Sequence, residues 1–372
     1  MTTTVEIDFP YPESTPGADF KNNAGRYLRN LSEPNRVILN EMHDWVKTDS
    51  INLDELSGCI LDHSLLLLRF LRANNFVTKK AKKHILKCME WRKTNNVAEV
   101  AKMNPEEILG CRVNDLIEHF PHWHIGYDKT GRPLLFKQQG EFDMKEIKKL
   151  CGGNFDRISR YHIWEQELMS RLCYEQSLKT RTIIETITVV LDVKGMTLSS
   201  LSSDFRVMMS ALVKMDQDMY PETLGRILIV NAPSVFPMIW GVMKPWFDPI
   251  TAAKIKVLGA DPKKVLSETI GMENLPANYG GALPALCKSV HPYAEAMAVC
   301  GLLQSAAVDA LGDGVTALKV SAAGAQVPVT VFTATTTACN SETGSPAPDT
   351  TTTTATTTTA EVPVKKQREF IY

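Results

Sequence analysis

Residues able to do chemistry are few in this chain, and their spacing excludes more than it proposes. His119, His122 and His124 cluster in Glu-His-Phe-Pro-His-Trp-His-Ile-Gly, with i, i+3, i+5 spacing around a proline and a tryptophan. That pattern matches no standard zinc ligand set, so they read as partly exposed structural histidines. The 8 cysteines, at 59, 88, 111, 151, 173, 287, 300 and 339, include no Cys-x-x-Cys pair, which argues against a zinc site or a compact disulfide framework. There is no G-x-S-x-G elbow, G-x-x-x-x-G-K-[ST] phosphate loop, G-x-G-x-x-G fingerprint or H-E-x-x-H. The expectation is a non-enzymatic chain with no metal and no cofactor. One residue calls for a partner. Arg69 lies in an apolar run where it shares a helix face with Leu65 and Leu66. A buried guanidinium needs an anion, because an unpaired buried charge costs several kcal/mol. Residue type leaves two candidates: a structural carboxylate such as Asp62 or Glu222, or a phosphate, which suits the planar fork of arginine.

The elements that must position such a group follow from periodicity. Residues 1–30 carry Pro, Gly and Asn without a repeat and read as irregular. Ser32-Glu33-Pro34 then opens a helix whose apolar positions are Val37, Ile38, Met42, Trp45 and Val46. Asp62 and Thr78 read as N-caps, so 62–95 is a helical hairpin turning near Asn74-Asn75, and 31–105 forms a helical module. From about residue 112, short runs at Leu134–Phe136, Ile187–Val193 and Ile227–Val230 alternate with helical stretches at 155–178, 199–216 and 234–246. This alternation predicts an α/β fold with a mostly parallel sheet covered by helices, here over 110–283. After Gly280-Gly281 the pattern weakens into an extension over 284–332, with an Ala-rich helical stretch at 293–311 and a strand-like Gln326–Phe332. The Thr-rich tail, 333–372, buries too little apolar surface to offset ordering entropy and is expected to be disordered.

The chain has 372 residues, 44% of them hydrophobic, enough for a substantial core. Lys and Arg number 41 against 42 Asp and Glu, so no general field draws it to nucleic acid. The start has no signal-peptide pattern, and no apolar run reaches the roughly 18 residues of a membrane span. A cytoplasmic protein with reversible peripheral membrane contact is expected.

Several segments taken in order are more specific. Leu66-Leu67-Leu68-Arg69-Phe70-Leu71-Arg72-Ala73, Trp91-Arg92, and Asp128-Lys129-Thr130-Gly131-Arg132-Pro133 come first. Leu191-Asp192-Val193-Lys194-Gly195, Tyr220-Pro221-Glu222, Asn231-Ala232-Pro233, Lys244-Pro245-Trp246-Phe247-Asp248-Pro249, Leu275-Pro276 and Gly280-Gly281 follow. Over about 35–283 the chain resembles the CRAL-TRIO lipid-binding family, closest to its phosphatidylinositol transfer branch. The resemblance implies a helical module on an α/β lobe, whose sheet floors an apolar lipid pocket closed by a gating helix. It implies phosphatidylinositol as ligand, with headgroup residues Arg69, Glu222, Thr251 and Lys254, and phosphoinositide metabolism as the process served, with a phosphatidylinositol kinase as functional partner of a monomer.

One departure limits the cargo. Where bifunctional members of the branch carry two hydroxyl residues for phosphatidylcholine, this chain has Ile187 and Val189, which share a strand face with Leu191 as pocket floor. Leu135 stands where the family often has Tyr. Aliphatic groups there make burial of a zwitterionic headgroup costly, so phosphatidylcholine binding should be weak or lost. The gate is assigned to Phe236, Trp240, Trp246 and Phe247, which by residue type alone fit a core helix equally. The basic run Lys79, Lys80, Lys82, Lys83, Lys87, Arg92, Lys93 is either a membrane-docking surface or a solvated helix face. The transfer protein is expected transiently at organelle membranes, and three alternatives stay open: a Glu222–Lys254 ion pair with Arg69 paired elsewhere, a carrier of a sterol or other non-phospholipid, and a lipid-gated interaction module.

Overall fold

In a computed structural model, the described residues are 10–11, 26–57, 59, 61–259, 262–289 and 291–302. The strand-like 326–332 and the Thr-rich tail lie outside them, as does most of 1–30. Of the chain's two compact units, 1–334 and 335–372, all that follows concerns the first.

The helical module forms, although Val37, one of the apolar positions of its first helix, is 61% exposed. Helix α1 (Glu33–Thr48) buries Leu39 and Met42, and helix α2 (His63–Ala73) is capped by Asp62, whose carboxylate accepts the Ser64 N–H at 2.5 Å. Helix α3 (Thr78–Thr94) begins one residue earlier than expected, with Val77 rather than Thr78 at the cap position, and no side chain bonds there. Leu67, Leu68 and Leu71 of α2 are fully buried against Ala81, Ile85 and Cys88 of α3, forming a core of their own. No described cysteine is in a disulfide.

The lobe is a sheet of five strands in sequential order: β1 (His122–Tyr127), β2 (Pro133–Gln138), β3 (Ile187–Asp192), β4 (Leu224–Val230) and β5 (Ile255–Val257). β1 and β2 are antiparallel; the other pairings are parallel. Neighbouring side chains point to opposite faces. Leu134, Phe136, Val190, Leu228 and Val230 face a closed core beneath the sheet with Leu266, Ile270 and Tyr279. Leu135, Ile187, Val189, Leu191, Ile227 and Ile229 face the larger core above it. That upper core includes helix α4 (Asp156–Thr180), helix α5 (Ser203–Met219) and helix α6 (Phe236–Met243). A short α7 (Pro249–Ala253) leads into β5.

The described residues from 284 to 302 extend the same packing. Within the stretch read as helical, α8 (Ala294–Val299) is described, and Tyr293, Ala296 and Cys300 are buried in the upper core. The Tyr293 hydroxyl donates to Glu165 of α4. This cover corrects one reading: His122 and His124 are not partly exposed but 0% and 3% exposed. Among the described residues no group of three or more His, Cys, Asp or Glu stands ready to hold a metal, and no helix is long and apolar enough to cross a membrane.

Candidate functional site

The polar residues expected to bind a headgroup are gathered near the ends of α2, β4 and α7, though not all on one another. Lys254 Nζ lies 3.2 Å from Glu222 Oε2, each side chain 13% exposed. Glu222 follows Pro221 in the left-handed backbone region, at φ 59°, an unusual setting for a glutamate and a frequent mark of functional positions. Thr251 donates its hydroxyl to Asp248 Oδ2, and Asp248 caps α7 through the Ile250 and Thr251 N–H groups. Thr251 and Lys254 are thus held by a short capped helix.

Arg69 does not join them directly. Its Nη2 donates to the Glu185 carbonyl at 3.0 Å, and its Nε lies 3.5 Å from Glu185 Oε1. Neither Asp62, used as a cap, nor Glu222 is its partner; sequence reasoning missed Glu185, which sits before β3 with no motif to mark it. Arg72 is the guanidinium nearest Glu222, at 3.9 Å, and it also reaches Glu185 at 3.3 Å. Burial pushes the Glu185 carboxyl up, but Arg72, Arg69 and the Tyr11 hydroxyl outweigh it and hold it below the usual carboxylate range. The cations therefore form a chain: Arg69 to Glu185, Glu185 to Arg72, Arg72 to Glu222, Glu222 to Lys254. The ion pair between Glu222 and Lys254, with Arg69 paired elsewhere, is the arrangement present.

The upper sheet face has the asymmetry of a cleft. Val190, Leu228 and Phe136 on the lower face are 0%, 1% and 0% exposed. Val189, Leu191, Ile227 and Ile255 on the upper face keep partial exposure although β3 and β4 are central strands. Ile187, at 7%, closes one end. Helix α6 lies over this face with Phe236, Ile239 and Met243 turned inward. Trp240 packs on Phe236 and Phe247, at 6.5 and 5.9 Å between ring centroids. The outward side of α6 is also apolar: Met238 is 59% and Val242 40% exposed. The far end of this segment is tied down by Gln217 of α5, which donates to the Trp246 carbonyl and accepts the Asp248 N–H.

A family model described as CRAL/TRIO domain matches residues 118–281. The phosphatidylinositol/phosphatidylcholine transfer proteins SFH7 and SFH12 of Arabidopsis thaliana are 33% identical over 230 residues and 32% over 253. They cover 62% and 66% of this chain, which spans only 41% and 46% of their own length. The SEC14 cytosolic factor of Eremothecium gossypii is 30% identical over 283 residues, 76% of this chain and 86% of the relative. The chain belongs to the CRAL/TRIO family, in its Sec14-like branch. The crystal structure of Sfh5 shares the fold, with TM-score 0.51 at 20% identity over 73% of this chain and 96% of that one.

Most of the CRAL/TRIO signature residues here hold the fold together. Asp128 accepts from the Thr130 and Arg132 N–H groups, the Thr130 hydroxyl and the Thr188 hydroxyl of β3. It thereby fixes the β1–β2 turn, in which Gly131 has φ 81°. Asp192 accepts from the Lys194 N–H, the Asn231 amide and the Tyr279 hydroxyl, joining three motifs at the strand ends. Arg92 makes two bonds of 2.7 and 2.9 Å to Glu167, clamping α3 to α4. The rest of the basic run is partly consumed, with Lys82 on Glu41 and Lys87 on Asp218, while Lys79, Lys80, Lys83 and Lys93 are exposed.

Proposed function

We propose that this chain takes up single phosphatidylinositol molecules and exchanges them with membrane surfaces, with no bond made or broken. The observation that carries the reading is the Glu222–Lys254 pair beside Thr251, partly exposed next to the apolar cleft. Lys254 carries three donors and gives one of them to Glu222. An incoming phosphate takes the ammonium, and the released carboxylate accepts from ring hydroxyls. Arg72 holds the far side of Glu222, and Arg69 acts at one remove, through Glu185. The names of the Arabidopsis and Eremothecium relatives support lipid transfer as the activity.

Exchange follows from energy balance. Acyl chains exposed to water cost about 0.8 kcal/mol per CH₂, whereas passage from bilayer to apolar cleft is nearly neutral, so headgroup contacts select the cargo. α6 is the gate in this reading, with Met238 and Val242 meeting the bilayer and Trp240, Trp246 and Phe247 following as it swings. A chain carrying phosphatidylinositol in the cytoplasm, visiting organelle membranes, is suited to present it to a phosphatidylinositol kinase. Ile187 and Val189 disfavour phosphatidylcholine; equal vesicle-to-vesicle transfer of both phospholipids would sink that part of the reading. For the headgroup, the test is phosphatidylinositol transfer by Lys254→Ala. Loss of one charge-assisted contact, about 1.5–3 kcal/mol, predicts a fall of roughly tenfold to a hundredfold. Unchanged transfer would remove Lys254 from the site.

A further inference from the structure

The sheet register aligns His124, Leu135, Val189, Ile227 and Ile255 in one row across all five strands, on the upper face. Four strand spacings make the row about 19 Å long, the scale of a lipid lying flat. Val189, Ile227 and Ile255 are partly exposed at one end; Leu135 and His124 close the other at 5% and 3% exposure. His124 is the polar member of this aliphatic row, and neither of its ring nitrogens has a hydrogen-bond partner among the described residues. Its backbone N–H is satisfied by the Pro292 carbonyl, so the strand itself is complete. His122, two residues away on the same face, shows the contrast: its nitrogens meet the Phe120 carbonyl at 2.6 Å and the Tyr161 hydroxyl at 2.8 Å. A buried imidazole without partners is uncommon, and among the described residues no hydrogen bond offsets its desolvation.

We propose that His124 anchors a second lipid site, which takes a neutral lipid bearing a single hydroxyl, such as a sterol or a diacylglycerol, laid along this row. The inference rests on the lipid-carrier reading and specifies the cargo that replaces phosphatidylcholine. Burial pushes the His124 imidazole down to about 4, so it is neutral in the cell and offers one donor and one acceptor. A hydroxyl is both acceptor and donor and complements it. A phosphate would need cations, and a choline group has no N–H to give, while Leu135, Ile187 and Val189 surround them with nothing polar. Met209 and Met215 of α5, partly buried against the same core, give the cleft an adaptable wall for a rigid or a flexible tail.

The test loads the full-length chain from vesicles containing phosphatidylcholine, phosphatidylinositol and either dehydroergosterol or fluorescent diacylglycerol, and follows each lipid. Wild-type protein should transfer at least one of the two hydroxyl lipids, and the two arms identify which. His124→Leu should lower that transfer about tenfold, the loss of one buried hydrogen bond, with phosphatidylinositol transfer and thermal midpoint unchanged or higher. His124→Gln keeps a donor and an acceptor and should retain most of it. Transfer of phosphatidylinositol with neither hydroxyl lipid, or undiminished transfer by His124→Leu, overturns the proposal and leaves the carrier reading standing. Loss of both cargoes with a lowered midpoint in His124→Leu overturns it by making His124 structural. Absence of all transfer by the wild type fails the carrier reading itself and takes this site with it.

Discussion

Asp128, Asp192 and Glu222 all belong to signature motifs, yet their surroundings assign them different work. Asp128 is 4% exposed with four donors around it, all on buried residues. Asp128→Ala should therefore cost about 3 kcal/mol or more, read by chemical denaturation, since each stranded buried donor costs about 1–3 kcal/mol. Glu222 is more exposed, strained in its backbone and paired with a lysine that has donors to spare. Glu222→Gln should leave stability nearly unchanged and depress phosphatidylinositol transfer; the reverse pattern would make the residue structural. Arg69→Ala should reduce transfer less than Lys254→Ala, because Glu185 and Arg72 stand between Arg69 and Glu222. The motif order made the candidate set legible in the sequence. Which arginine reaches Glu222 was not, because residues 69 and 72 are one turn apart and only the packing of α2 on the segment before β3 decides between them.

The long elements announced themselves by periodicity: α1, α2, α4 and α5 lie where apolar residues recur at helical spacing, and β2, β3 and β4 where short apolar or β-branched runs do. β1 escaped because His-Trp-His-Ile-Gly-Tyr reads as a histidine cluster, its burial supplied by α8 from far along the chain. β5 has three residues, too few for any pattern. The joints between elements were equally silent. Arg92 and Glu167 are 9% and 11% exposed in their side chains, so breaking the clamp leaves a nearly buried charge without its partner. Arg92→Ala should destabilise by about 3–5 kcal/mol and loosen α3 from α4, measurable by denaturation and by hydrogen exchange along α3. Gln217 is the joint at the proposed gate. Gln217→Ala should raise hydrogen exchange over 244–248 and speed lipid exchange, while unchanged rates would mean that the gate bends elsewhere.

For the whole molecule, buried histidines set the pH range of stability. Burial pushes His122, His124 and His291 down to about 4. The unfolded chain protonates them near 6.5, so each contributes stability that is present above about pH 6.5 and lost as pH falls toward 4. His162 has the opposite sign. Burial pushes it down, but Asp216 at 2.7 Å and Glu165 at 2.9 Å outweigh this and raise it to about 9. The folded state then holds a proton that the unfolded chain releases near 6.5, and that stability is lost as pH rises through about 9. Denaturation midpoints should peak near pH 6.5, with His162→Gln flattening the alkaline side and His124→Leu the acid side. A profile unchanged by either substitution would contradict these assignments. Lipid carriage is the proposed property of the whole, and mass spectrometry of lipids extracted from the natively purified full-length protein tests it most directly. Phosphatidylinositol should be bound to the wild type and depleted in Lys254→Ala; a wild-type protein free of phosphatidylinositol, or the same cargo in both forms, would contradict carriage through this site.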